Sequence, residues 1–147
     1  MKAKIISSAA ERTQALVFST GDEVVSTLQD FAAKEGLSAA RFTAIGALSD
    51  VTLGYFDWQA KEYRKIPIEE QVEVLALIGD IATDGAKRVV HAHVVVGKRD
   101  GTAHGGHLLE AHVRPTLEVI LTESPAHLRR VLDHESGLAL IDLRSSG

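Results

Sequence analysis

The chain contains no cysteine. Disulfides and thiolate metal sites are therefore excluded, and any metal must be held by nitrogen and oxygen donors. An excess of positive charge is missing as well: 16 Lys and Arg stand against 20 Asp and Glu, a formal net charge of −4. Sequence-independent nucleic-acid binding relies on basic side chains neutralising phosphates, so composition gives it no support. No apolar run approaches the roughly 18 residues needed to cross a bilayer, and no membrane partner is expected. The first residues, MKAKIISSAAERTQ, hold no apolar core of signal-peptide length, so the expectation is a soluble, cytoplasmic protein. Linkers, low-complexity tracts and internal repeats are also absent.

What remains is an ordinary globular composition. A length of 147 residues with 45% hydrophobic side chains suits one domain, residues 1–147, with a core of normal size. A chain of this length hides roughly 70% of its unfolded surface on folding. Lys4 to Ser7 and Gln14 to Phe18 read as short strands rich in Ile, Val and Phe. GDEVVSTLQDFAAKEG reads as the one clear helix. Gly21 and Asp22 supply its N-terminal cap, Val24, Leu28 and Phe31 recur at helical spacing, and Gly36 closes it.

From Ala40 onward the period is two. ARFTAIGAL and VTLGYFDW read as two strands joined at Ser49-Asp50, followed by a polar turn at 59–62 and by EYRKIPI. EQVEVLALIGDIA places Val72, Val74, Ala76 and Ile78 on one face and Glu73, Leu75 and Leu77 on the other. VVHAHVVVGK ends at RDGT, where Asp100-Gly101 is a turn signal. TLEVILT, LRRVLD and LALIDL complete the set. The expected class is α+β: a compact antiparallel sheet or flattened barrel of seven to eight strands with one or two helices.

The segment HAHVVVGKRDGTAHGGHLLEAH, residues 91–112, holds five of the seven histidines. On a strand His91 and His93 point to one face, roughly 6.5 to 7 Å apart, while Ala92 and Val94 point to the other. Two imidazoles so placed can converge on one divalent ion such as zinc. A third ligand must come from elsewhere, and the return of a hairpin offers His104, His107 and His112. Gly105-Gly106 permits unusual backbone angles or a close approach, which favours His107 and leaves His104 and His112 in second rank. Three protein nitrogens plus water is the layout of an open zinc site. Histidines also cluster on hairpins that hold no ion. His127 and His134 lie by the SPAHL and DHESG turns and read as surface residues.

Glu118 is the other candidate. In TLEVILT, Leu117, Val119 and Leu121 share one face and leave Glu118 beside Ile120 on the opposite one. A carboxylate there can be a fourth ligand, a partner for an imidazole N–H, a general base acting on bound water, or simply a solvated residue of the sheet.

AIGALSDVTLGYFD (44–57), KEYRKI, HAHVVVGKRDG (91–101), GGHLLEA (105–111), TLEVIL (116–121) and ESGLALIDL (135–143) together resemble the plants-and-prokaryotes conserved (PPC) domain, in order and over essentially the whole chain. The resemblance implies a small antiparallel sheet with one or two helices that assembles as a homotrimer. In plants the domain accompanies AT-hook motifs in DNA-associated nuclear proteins, where it supports trimer formation and partner binding. Prokaryotic members are described as candidate DNA-binding proteins without an agreed biochemical activity. His-x-His and GGHL map onto His91, His93 and His107, which the resemblance implies can bind zinc, and Thr-x-Glu maps onto Thr116 and Glu118. The chain has no Arg-Gly-Arg-Pro core, so it lacks the AT-hook.

The functional expectation is a trimeric metal-binding module that binds a ligand or partner, or regulates, with zinc or another divalent metal on His91, His93 and His107 and a small-molecule ligand near a subunit interface. DNA is a partner by resemblance. The alternative is a zinc-dependent enzyme in which the three histidines hold an activated water and Glu118 shuttles its proton. No phosphate-binding motif is present, because GALSDVTLG lies between strands and opens no helix.

Overall fold

The computed structural model describes residues 2–8, 11–124 and 128–144, with side chains from residue 11 onward. His127 lies outside the described residues. The elements, in order, are β1 (Lys2–Ser8), β2 (Arg12–Ser19), α1 (Val24–Lys34), β3 (Ala39–Asp57), β4 (Glu62–Ile68), β5 (Val72–Asp84), β6 (Lys87–Gly97), β7 (Ala103–Glu123), β8 (Arg130–Leu132) and β9 (Ala139–Ile141). Nine strands and one helix are thus found among the described residues. None of them forms a helix long and apolar enough to cross a membrane.

The helix forms where periodicity puts it, but its cap lies one residue further on than expected. Glu23, not Asp22, accepts from the backbone N–H groups of Val25 and Ser26, while Asp22 accepts from Ser19 N–H. At the other end Gly36 takes φ +69°. Its N–H donates to Ala33 O and that of Leu37 to Ala32 O, the paired bonds of a Schellman closure that a left-handed glycine permits. Val24, Leu28, Phe31 and Ala32 face the core. Full burial of a Leu or Phe is worth about 1.5–3 kcal/mol each, so this apolar face holds the helix against β6 and β7.

Seven strands form one antiparallel sheet in the order β1-β2-β7-β6-β5-β3-β4, with a further pairing of β7 to β3; β8 and β9 form a separate hairpin. The two long strands organise it. β7 has 21 residues, roughly 70 Å if straight. A domain of this length has a radius of gyration of about 15 Å, so such a strand must bend. It does so at register shifts opposite Gly46, Leu48 and Leu53 of β3. The sheet therefore curls around Phe18, Phe42, Leu48, Leu53, Leu117 and Leu121. Among the described residues β1 and β4 are edge strands that do not pair with each other, so this is a curled open sheet and not the flattened barrel considered above.

The same shifts explain two other departures from the simple period. The strands expected to meet at Ser49-Asp50 are one continuous β3, because the shifts around Leu48 change its partners without interrupting it. On β5 a bulge between Val74 and Ala76 reverses the alternation. Val74 and Leu77 are both buried, and Ile78 faces outward at 63% exposure.

Candidate metal centre

β6 presents His91 and His93 on the outer face of the sheet, while Ala92 and Val94 enter the core. β7 runs antiparallel beside it and sets His107 directly opposite His93. The three rings lie with centroids 5.1, 5.2 and 5.3 Å apart. One nitrogen from each can be chosen so that all three lie within 4.8 Å of one another. A tetrahedral ion with bonds near 2.05 Å needs its nitrogens about 3.3 Å apart, so the set would have to close by no more than about 1.5 Å.

The glycines before His107 act differently from the pivot expected of them. β7 runs straight through Gly105 and Gly106 as it passes from β6 to β3. A Cβ on Gly106 would stand 2.9 Å from Gly54 O. Glycine is needed there for close backbone approach, and His107 reaches the site by ordinary cross-strand pairing.

The electrostatics suit neutral imidazole donors. Burial, then the neighbouring His91, His93 and Arg130, lower the His107 pKa to about 4. Burial and His91 also lower that of His93. Both rings are therefore unprotonated at neutral pH, the form that binds a metal. His107 Nδ1 is buried with no hydrogen-bond partner, and the Tyr63 ring stacks on His107 at 4.6 Å. An orphaned imidazole nitrogen in a ring grouped with two other histidines is a donor set that fits a divalent ion with imidazole preference, such as zinc.

Two residues that periodicity did not nominate belong to the same constellation. Asp80 on β5 is paired with His91, and its Oδ2 lies 3.6 Å from His91 Nδ1, slightly beyond hydrogen-bonding range. Its Oδ1 accepts from Arg130 Nη2 at 2.6 Å. Burial raises the Asp80 pKa, but the polar contacts with His91 and Arg130 outweigh it and hold the carboxyl below its usual range. A carboxylate within the apolar run Val74–Ala82 was the available signal for Asp80. Arg130 had none, since 50 residues separate the pair.

The other candidates fall elsewhere. His104 is exposed on β7 opposite Val96. His112 Nδ1 pairs with Asp50 Oδ1 at 2.8 Å, a hydrogen bond that raises its pKa despite some burial. His134 is exposed in the turn between β8 and β9. Thr116 Oγ1 donates to Phe18 O. Glu118 does not join the histidine cluster of its own chain. It lies between Val17 of β2 and Ile45 of β3 and lines a depression of about 420 Å³ with Thr43, Leu75, Ile78 and Ile120. Ile78, opposite His93, separates this depression from the histidines.

Known structures share this arrangement of strands. A plant- and prokaryote-conserved protein of Pyrococcus horikoshii is 34% identical, with a TM-score of 0.84 over 89% of this chain and 91% of its own. A candidate DNA-binding protein of Bacteroides thetaiotaomicron is 25% identical, with a TM-score of 0.86 over 97% and 98%. A metal-containing protein of Archaeoglobus fulgidus is 31% identical, with a TM-score of 0.82 over 96% of both chains. The bifunctional protein GlmU of a Synechococcus strain is 34% identical over 106 residues, 71% of this chain, but the chain spans only 16% of that protein's length. The model of the Plants and Prokaryotes Conserved (PCC) domain matches residues 6–125. With the fold, the histidine constellation and this match in agreement, the chain belongs to the Plants and Prokaryotes Conserved domain family.

Proposed function

We propose that the protein is a metal-dependent binding or regulatory module in which His91, His93 and His107 hold one zinc-type divalent ion and leave a coordination position open to a small ligand. One observation carries this reading: three imidazoles within reach of a common ion, one with a buried nitrogen that has no protein partner. The description of the Archaeoglobus relative as metal-containing supports it. Elemental analysis of purified wild type against His107→Ala tests it. Near one metal per chain is expected for wild type and a small fraction of that for the variant; a wild type that stays metal-free after incubation with zinc would sink the reading.

The module works as a homotrimer. Supporting this, the face that carries the histidines continues into exposed apolar side chains: Ile45 at 61%, Leu75 at 54% and Ile78 at 63%, with Val17, Val95 and Ile120 around them. Contiguous apolar patches of this kind mark interaction surfaces. A second copy seated there would border the histidines and place the ligand near a subunit boundary. In such an assembly Glu118 could meet the ion only from another subunit, which is the form the enzyme alternative would have to take.

DNA association is the second reading, favoured by relatives described as candidate DNA-binding proteins. The net charge of −4 supplies no general attraction to phosphate. A gel-shift series at rising salt decides it, with binding at low salt expected and the absence of any shifted duplex at low salt removing the reading.

A further inference from the structure

Arg130 is the only buried Lys or Arg among the described residues, with a side chain 6% exposed. Burying a guanidinium is costly unless its charge and donors are matched. Here Nη1 donates to Ala139 O within its own hairpin at 3.0 Å and Nη2 donates to Asp80, while the buried Nε has no partner. The hairpin is held on β5 independently: Thr83 N–H and Oγ1 both donate to Leu128 O at 2.9 Å. Arg130 therefore reaches one target outside its own hairpin, and that target is the carboxylate beside His91. This segment also lies beyond residues 6–125 that match the family model.

An imidazole that ligates through one nitrogen is oriented by the group that holds the other, and such outer partners typically contribute 10- to 100-fold to metal affinity. We infer that Arg130 is a positioning residue of the histidine site: it anchors Asp80 so that the carboxylate accepts a hydrogen bond from His91 Nδ1–H, which stays on the imidazole, and leaves Nε2 free for the ion. The C-terminal hairpin is then an integral part of the metal centre. This inference rests on the metal reading above, and it assigns no metal contact to Asp80 or Arg130 themselves.

The test measures Co²⁺ affinity and visible absorption for wild type, Asp80→Asn, Arg130→Met, Arg130→Lys and His93→Ala, with urea unfolding of each metal-free protein as a fold control. Asp80→Asn and Arg130→Met should bind 10- to 100-fold more weakly. Arg130→Lys should recover part of the loss, and His93→Ala should lose the site. Long-range ¹H–¹⁵N spectra of the metal-free wild type at pH 8 should find the His91 proton on Nδ1, and a mixture of tautomers in Arg130→Met. A role confined to docking the hairpin would lower stability and leave affinity and tautomer unchanged. Affinities within threefold of wild type in folded variants, or a His91 proton on Nε2 in wild type, would overturn the inference. Wild type failing to bind cobalt would instead refute the metal reading, while the tautomer measurement still decides the role of Arg130. Should Arg130→Met fail to fold, Asp80→Asn and Arg130→Lys carry the same comparison.

Discussion

Stripped of metal, the protein should lose about 2 kcal/mol of stability between pH 7.5 and pH 5 through His107 alone. An unfolded histidine titrates near 6.5. Folded His107 titrates at about 4, because its ring is buried beside His91, His93 and Arg130. Between these values the unfolded chain binds a proton that the folded chain does not. Stability therefore falls as pH drops through 6.5 and levels off only below about 4. At pH 5 the unfolded side chain is almost fully protonated and the folded one almost fully neutral, which gives the figure of about 2 kcal/mol; the full shift is worth roughly 3 kcal/mol. His93 has a lowered pKa and acts with the same sign, so total acid sensitivity is larger. Comparison with His107→Gln isolates the His107 share. The assay is urea unfolding followed by circular dichroism, with chelator present and chain concentration fixed, since assembly would contribute to apparent stability. Wild type should lose about 2 kcal/mol more than His107→Gln over this interval. Parallel curves for the two proteins would show that His107 protonates freely in the fold, and the argument from burial would fail.

Two further changes test the sheet. Gly46, at φ +152°, sits where a Cβ would come within 2.3 Å of Thr116 O and 2.8 Å of Leu117 Cα. Gly46→Ala must push β3 from β7 and should cost about 3 kcal/mol in urea unfolding; a cost under about 1 kcal/mol would mean the strands part easily there. Ile78→Asp places a charge on the exposed apolar face without touching the core. Light scattering should find wild type with the mass of three chains and the variant with that of one, and an unchanged variant would move the interface off this face.

Much of the fold is legible because period-two alternation and turn chemistry are local. Leu117, Val119 and Leu121 go inward and Glu118 and Ile120 outward as the pattern requires, and Asp100-Gly101 turns the chain with Gly101 at φ +83°. His91 and His93 share a face for the same reason. The partner of a strand is not local, except across a tight turn. His107 lies opposite His93, and His104 opposite Val96, because the turn at Asp100-Gly101 centres the β6–β7 hairpin there; the pairings of β6 with β5 and of β7 with β2 and β3 have no such local signal. Arg130 is less legible still: its meaning depends on a hairpin that returns to β5.

The bulge on β5 connects these observations. Uninterrupted alternation from Val72 and Val74 would carry Ile78 and Asp80 inward and leave Leu77 outside. That would bury a carboxylate in the core, which is expensive, and expose a leucine. The extra residue between Val74 and Ala76 turns the rest of the strand over. Leu77 becomes core, Asp80 comes beside His91, and Ile78 opposite His93 becomes part of the exposed apolar face. One inserted residue thus supplies the carboxylate of the histidine site and brings that site to the edge of the proposed interface. Deleting the extra residue, Leu75, should act on both at once, lowering Co²⁺ affinity and the mass seen in light scattering together, because Asp80 and Ile78 cannot be turned over separately on a continuous strand.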